Sequence, residues 1–358
     1  MPKRKHLDRW LLFATLITAM VGIALVWSAS ASLARDYYRL PSWEFAYRQL
    51  LAWLLGTVGM LVLAFLPLEL VLHRTAVLTS LALIWVLLVI PYFQPEVAHT
   101  HRWLRLPIGS LQPSALAKVT LPLVLAVLLA EIGADRAKDK KILVAVGLLT
   151  GVTVALIFFE PDLGMAMLLL ATAWCMLVFA GAPLAIVLGS ALSGGAVALV
   201  GVLSEPYRLT RLASFLRGGS YQVHQALIAL GSGGFLGRGL GASVQKLFFL
   251  PQPHTDFIFA IAGEEVGFVG AVLLLALLGL LVARCFRAGV HAPSRAAALL
   301  ALGLGSELAL QAWLNVAVCL GLFPPKGLPL PLISAGGSDL LANLLALGLV
   351  LNVAKEGS

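Results

Sequence analysis

"LPQPHTDFIFAIAGEEVGFVG", residues 250–270, opens what reads as a membrane-spanning helix, and residues 269–282 continue it with almost nothing but apolar side chains. Three carboxylates sit at that opening, Asp256, Glu264 and Glu265, with His254 just ahead of them. A charge facing lipid is costly, and ionisable residues within spans face a cavity or a partner instead. The stretch therefore predicts a helix entering a bilayer and a polar site at its entrance.

Working outward, the rest of the chain fits a bilayer. Of 358 residues, 60% are hydrophobic and 12% charged, where soluble domains carry about 25% charged residues; mean hydropathy is +0.96. The long apolar runs are continuous rather than alternating, which selects a helical bundle over a barrel. An all-α polytopic fold of one domain, residues 1–358, is predicted, with ten transmembrane helices near 10–33, 47–66, 73–93, 113–131, 142–159, 163–181, 183–203, 257–283, 296–322 and 336–354. Residues 204–256 form a long extracytoplasmic loop between spans 7 and 8. The start, MPKRKHLDRW with an apolar run and SASASLA, imitates a signal peptide, but the run is longer than an h-region, so a retained first span is expected. The compact basic clusters KRK (3–5) and RAKDKK (136–141) place both termini in the cytoplasm. That orientation puts 11 of the 17 carboxylates on the outer side or in outer halves of spans. The net charge of +8 then reads as topology and anionic-lipid contact rather than nucleic-acid binding. Cys175, Cys285 and Cys319 are scattered singly, a pattern that suggests neither a zinc site nor a disulfide framework.

Four outer stretches carry chemistry. In HRWLRLPIGSLQPSALAK (101–118), Pro113 suits the first turn of a helix, and Ser114 and Lys118 share one face. Lys118 either snorkels to the interface beside Trp103 or enters an outer cavity to meet an anion. In EPDLG (160–164), Asp162 caps the next helix or binds a ligand, with capping favoured. The glycine-rich 220–251 stretch matches a loose GxGxxA pattern at GRGLGA. No βαβ unit can surround it, so it reads as tight turns between re-entrant helices, or as an anion-binding backbone. PPKGLPLPLISAGGS (324–338) is too rich in proline and glycine for a regular helix, and either lines a cavity or forms a surface turn.

Together and in order, RWLRLPIGSLQPSALAK, EPDLGMA, YQVHQALIALGSGGFLGRGLG, QKLFFLPQPHTDFIFAIAGEEVGFVG and KGLPLPLISAGGS resemble the SEDS family of cell-wall polymerases. The resemblance spans nearly the whole chain. QKLFFLP, KGL before PLPLIS and DRWLL…VWSAS look more like the FtsW-type division branch than the RodA-type elongation branch. It implies a peptidoglycan glycosyltransferase that polymerises lipid II beside a class B penicillin-binding protein and other divisome or elongasome membrane proteins. The family's essential aspartate matches Asp256, and its QPSELAK motif matches 112–118 with Lys118 kept. Ala115 replaces that motif's glutamate, and Ala335 replaces the tyrosine of SYGGS.

An α-linked donor and a β-linked product call for a single displacement, with Asp256 as general base or as ligand of a divalent cation, Mg²⁺ or Mn²⁺. Lys118, with Arg102, Arg211, Lys246 and Lys326, is expected to contact the pyrophosphate. Gln112, Ser114 and Ser334 are further candidates for substrate contact, and His254, Glu264, Glu265 and Asp162 for support. The rival readings are a lipid II flippase and a non-catalytic scaffold. No internal repeat of the transporter kind is evident.

Overall fold

The computed structural model describes residues 6–95, 100–106, 109–133 and 136–357. The KRK cluster at 3–5 lies outside the described residues, as do the side chains of residues 136–138.

Each long apolar run is a helix. In chain order they are α1 (Arg9–Ser32), α2 (Glu44–Phe65), the single turn α3 (Leu68–Val71), α4 (Arg74–Val89), α5 (Pro113–Leu129), α6 (Arg136–Phe159), α7 (Leu163–Phe179) and α8 (Leu184–Leu203). Then follow α9 (Pro206–Leu216), α10 (Tyr221–Ser232), α11 (Ile258–Val290), α12 (Arg295–Cys319) and α13 (Gly337–Glu356). Eight segments among the described residues are long and apolar enough to cross a membrane; α5 and α7, with 17 residues each, are shorter. Local chemistry starts several helices: Asp8 caps α1 by accepting from the Trp10 and Leu11 amides, and Ser294 caps α12. Pro113 opens α5, where a missing N–H costs nothing.

α12 and α13 form the centre, with α5 against both. α2 runs along α13 so closely that a Cβ on Gly348 would meet the Met60 carbonyl at 2.5 Å. Small residues at such crossings let helices approach where lipid supplies no hydrophobic drive. α8 lies at the edge, packed mainly on α7, and presents Leu184, Leu192, Leu199 and Val200 outward.

Two features add to the ten-span bundle. A short antiparallel hairpin, β1 (Leu104–Leu106) with β2 (Gly109–Leu111), interrupts the all-α pattern ahead of α5. The 204–256 loop holds two helices: α9 begins at Pro206, and α10 is capped by Ser220.

Candidate active site

The opening stretch divides its carboxylates between two tasks. α11 is broken at Gly267, whose φ is +69° and ψ −171°. A broken helix strands backbone groups that lipid cannot satisfy. The glycine-rich turn after α10 supplies the partners: Arg238 N donates to Glu264 O at 3.0 Å and Gly239 N to Glu265 O at 3.0 Å. Phe268 N in turn donates to Gly234 O at 2.9 Å. The approach excludes side chains, since a Cβ on Gly237 would lie 2.2 Å from the Glu265 carbonyl. Glu264 accepts from the Ser243 hydroxyl, the Val244 and Gln245 amides and Arg238. Glu265 pairs with Lys246 Nζ at 2.7 Å and accepts from Ser28 of α1. Both buried glutamates thus hold the re-entrant turn. Lys246 is spent on Glu265 and does not stand as an anion contact, and the Arg238 and Gly239 amides of GRGLGA are spent on α11 carbonyls.

Asp256 belongs elsewhere. Three successive carbonyls fix its backbone: His254 O accepts from Ala335 N at 2.9 Å, Thr255 O from Ser334 Oγ at 2.6 Å, and Asp256 O from Asn315 Nδ2 at 2.9 Å. His254 packs its ring on Phe45, and burial lowers its pKa to about 4, so it is neutral and structural. The Asp256 side chain points into a cavity of about 310 Å³ whose wall also carries Arg102, Asp162, Arg208, Arg211 and Lys326. Four cations and two carboxylates therefore share one pocket.

Each wall has a cause. Tyr207, Arg208, Arg211 and Leu212 fall on one face of α9 at helical spacing. Arg211 donates to Pro325 O at 3.2 Å and lies over the Tyr207 ring. Arg102 donates to the Glu160 carbonyl at 2.7 Å and the Pro161 carbonyl at 2.5 Å. Asp162 both caps α7, through the Met165 amide, and accepts from Gln112 Nε2 at 3.1 Å. The irregular 324–327 segment supplies the opposite wall, with Lys326 over Phe323. Directly after it, α12 captures the carbonyls of the still irregular chain: Gln311 Nε2 bonds Pro329 O and Asn315 Nδ2 bonds Leu328 O, each at 2.8 Å.

Electrostatics suits proton transfer. Burial pushes the Asp256 carboxyl up to about 6, with Arg211 pulling it down and Asp162 raising it slightly. Burial also lowers the Lys326 ammonium. Behind Arg102, the Glu160 carboxyl is buried without a partner among the described residues, and burial raises it to about 9.

Several expected contacts are corrected. Lys118 neither snorkels nor reaches the cavity. It is 1% exposed, and its Nζ bonds Asp339 at 2.5 Å, Gln311 at 2.7 Å and Asn343 at 3.2 Å, with Glu307 3.8 Å away. Facing α12 and α13 from the centre of the bundle, it finds its carboxylates there rather than at position 115. Ser114 is buried and its hydroxyl has no partner among the described residues. Ser334 is spent on Thr255 O and Leu330 N, and Gln112 on Asp162 and Ser338. The sequence reading missed Arg208, Gln311 and Asn315. The last two stand four apart in an apolar helix, as do Asp339 and Asn343, and intramembrane polar pairs at that spacing were the available signal.

The family model for cell cycle proteins of the FtsW/RodA/SpoVE type matches residues 9–358. A probable peptidoglycan glycosyltransferase FtsW of Trichlorobacter lovleyi is 37% identical, over 97% of this chain and 92% of that one. The stage V sporulation protein E of Bacillus subtilis is 36% identical, over 99% of this chain and 98% of its own. Among solved structures, the rod shape determining protein RodA of Thermus thermophilus superposes with a TM-score of 0.71 at 30% identity, over 99% of this chain and 98% of that one. A chain described for a peptidoglycan synthase complex that coordinates polymerization and crosslinking gives 0.77 at 29% identity, over 98% of each. The chain belongs to the FtsW/RodA/SpoVE family, the SEDS family of multi-pass membrane peptidoglycan glycosyltransferases.

Proposed function

We propose that this chain polymerises lipid II into glycan strands at the outer face of the bacterial cytoplasmic membrane, with both termini in the cytoplasm, in the division branch of the family. One observation carries the reading: Asp256 shares a single pocket with four cations at the entrance of a span. The substrate it fits is half lipid and half sugar pyrophosphate. An apolar groove of about 780 Å³ between α6, α7 and α8, lined by Val146, Thr150, Val154, Phe158 and Trp174, supports the lipid half. Arg208 joins the two spaces, since it lines the pocket and its guanidinium lies 5.6 Å from the centre of the Phe158 ring.

In the reaction, the 4-hydroxyl oxygen of the acceptor sugar forms a bond to the donor's anomeric carbon. The bond from that carbon to the phosphate oxygen breaks, and polyprenyl pyrophosphate leaves with the electron pair. The hydroxyl proton passes to the Asp256 carboxylate, a role worth about 10²–10⁴ in rate. Arg102, Arg208, Arg211 and Lys326 meet the leaving charge, where fixed cations in a confined site act most strongly. Among the described residues, no three metal-ligating side chains converge. Each Asp162 oxygen already accepts one hydrogen bond, whereas the Asp256 carboxylate makes no side-chain hydrogen bond among the described residues. In its alternative role, in place of proton acceptor, that carboxylate would hold Mg²⁺ or Mn²⁺ together with the substrate's own phosphates. When bound, the ion neutralises pyrophosphate charge. A class B penicillin-binding protein is the expected crosslinking partner, in line with the synthase complex named above.

The test is polymerisation of labelled lipid II by the purified chain with its class B partner, with and without each divalent cation. Glycan product supports the polymerase. Transfer of lipid II across vesicles without polymer replaces that reading with a flippase.

A further inference from the structure

At the face that carries both termini, the ends of α1, α11 and α13 enclose a second polar cavity, of about 580 Å³, that the polymerase chemistry does not use. Its wall includes Asp8, Arg9, Arg284, Arg287 and His291, with Trp10 at the rim. Asp8 is fully committed: one oxygen caps α1 through the Trp10 and Leu11 amides, and the other accepts from Arg284 Nε at 2.9 Å. His291 holds its Nδ1 against the Arg287 carbonyl, which leaves Nε2 uncommitted. Among the described residues, the Arg9 and Arg287 guanidiniums have no hydrogen-bonding or ion-pair partner. On α13, Lys355 and Glu356 lie 3.8 Å apart and add one charge of each sign.

The charge balance favours an anion. Three guanidiniums oppose one carboxylate. The C-terminal ends of α11 and α13 subtract about half a charge each, and the N-terminus of α1 restores about half. The surplus is positive by roughly 1.5 charges. A hydrophobic path leaves the cavity as well: Trp10, Phe13 and Ile17 are 69%, 64% and 39% exposed and form one stripe down α1. Trp is the side chain that settles at headgroup depth.

We propose that this cavity binds the phosphate headgroup of an anionic phospholipid, with an acyl chain along the Trp10–Phe13–Ile17 stripe. In the orientation proposed above, the lipid belongs to the cytoplasmic leaflet. Basic pockets between span ends on that side are suited to acidic headgroups.

Native mass spectrometry of the purified full chain, titrated with phosphatidylglycerol or phosphatidylcholine, tests this. The expected preference for phosphatidylglycerol is roughly thirtyfold, about fivefold for each uncommitted guanidinium. The double variant Arg9→Gln/Arg287→Gln loses most of it, and Arg9→Lys/Arg287→Lys keeps most of it. Equal binding of the two lipids by wild type overturns the proposal whatever the variants do, and so does a full preference in the glutamine variant. Glycerol phosphate that binds as tightly as the lipid shows a soluble-anion site instead and overturns the lipid assignment.

Discussion

Replacing Asp256 with Asn is expected to make the protein more stable while abolishing polymerisation. The carboxyl is raised from 3.8 to about 6, chiefly by burial, so the folded state binds its proton more tightly than the unfolded chain does. Below about pH 4 both states hold the proton and the folded state suffers no penalty. Between pH 4 and 6 the penalty grows, and above about 6 it is complete. Two pKa units correspond to about 3 kcal/mol at most. The side chain keeps part of its surface on a water-accessible cavity, which reduces this to about 1–2 kcal/mol. Asn has nearly the same shape, and the carboxylate makes no side-chain hydrogen bond among the described residues, so little contact is lost to offset the gain. Thermal unfolding of wild type and variant in one detergent, at pH 4.5 and 7.5, reads the effect. The variant should be more stable at pH 7.5, with the difference shrinking at pH 4.5. A variant no more stable at pH 7.5, or an advantage equal at both pH values, refutes the reasoning.

Lys118→Met leaves Asp339 and Glu307 buried without their cation and should destabilise the chain by about 3–5 kcal/mol, seen as a lowered unfolding midpoint. Arg211→Ala removes the cation that holds the Asp256 pKa down, so the acid limb of the pH–rate profile should move to higher pH. Polymerisation should also fall by about tenfold or more. Gly267→Ala places a Cβ 2.2 Å from Gly237 N at a φ of +69° and should cost at least about 1–3 kcal/mol in thermal unfolding.

The bundle is legible in the sequence because bilayer thickness imposes run lengths that little else requires. The place of Asp256 follows from its position at a helix entrance. The partners of Lys118, Lys246 and Glu264 are not legible. Gln311 and Asp339 stand 193 and 221 residues from Lys118, whereas Lys246 and Arg238 stand 19 and 26 residues from Glu265 and Glu264, where several cations compete for each carboxylate. Lys118 illustrates the difficulty: its spacing from Pro113 places it on a face of α5, but only the packing of α12 and α13 on that face makes it interior. Arg208 was hidden because the 204–256 stretch reads as loop, and its side chain acquires direction only once α9 forms. The glycine-rich run carries an ambiguity of a different kind, since exposed backbone amides suit an anion and a broken helix equally well.

The pH dependence of lipid II polymerisation, measured for wild type and for Asp256→Asn with the class B partner present, bears most directly on Asp256 as the proton acceptor. Wild-type rate should fall as the pH drops through about 6, and the variant should form no polymer at any pH. Polymer from the variant at the wild-type rate would contradict the assignment.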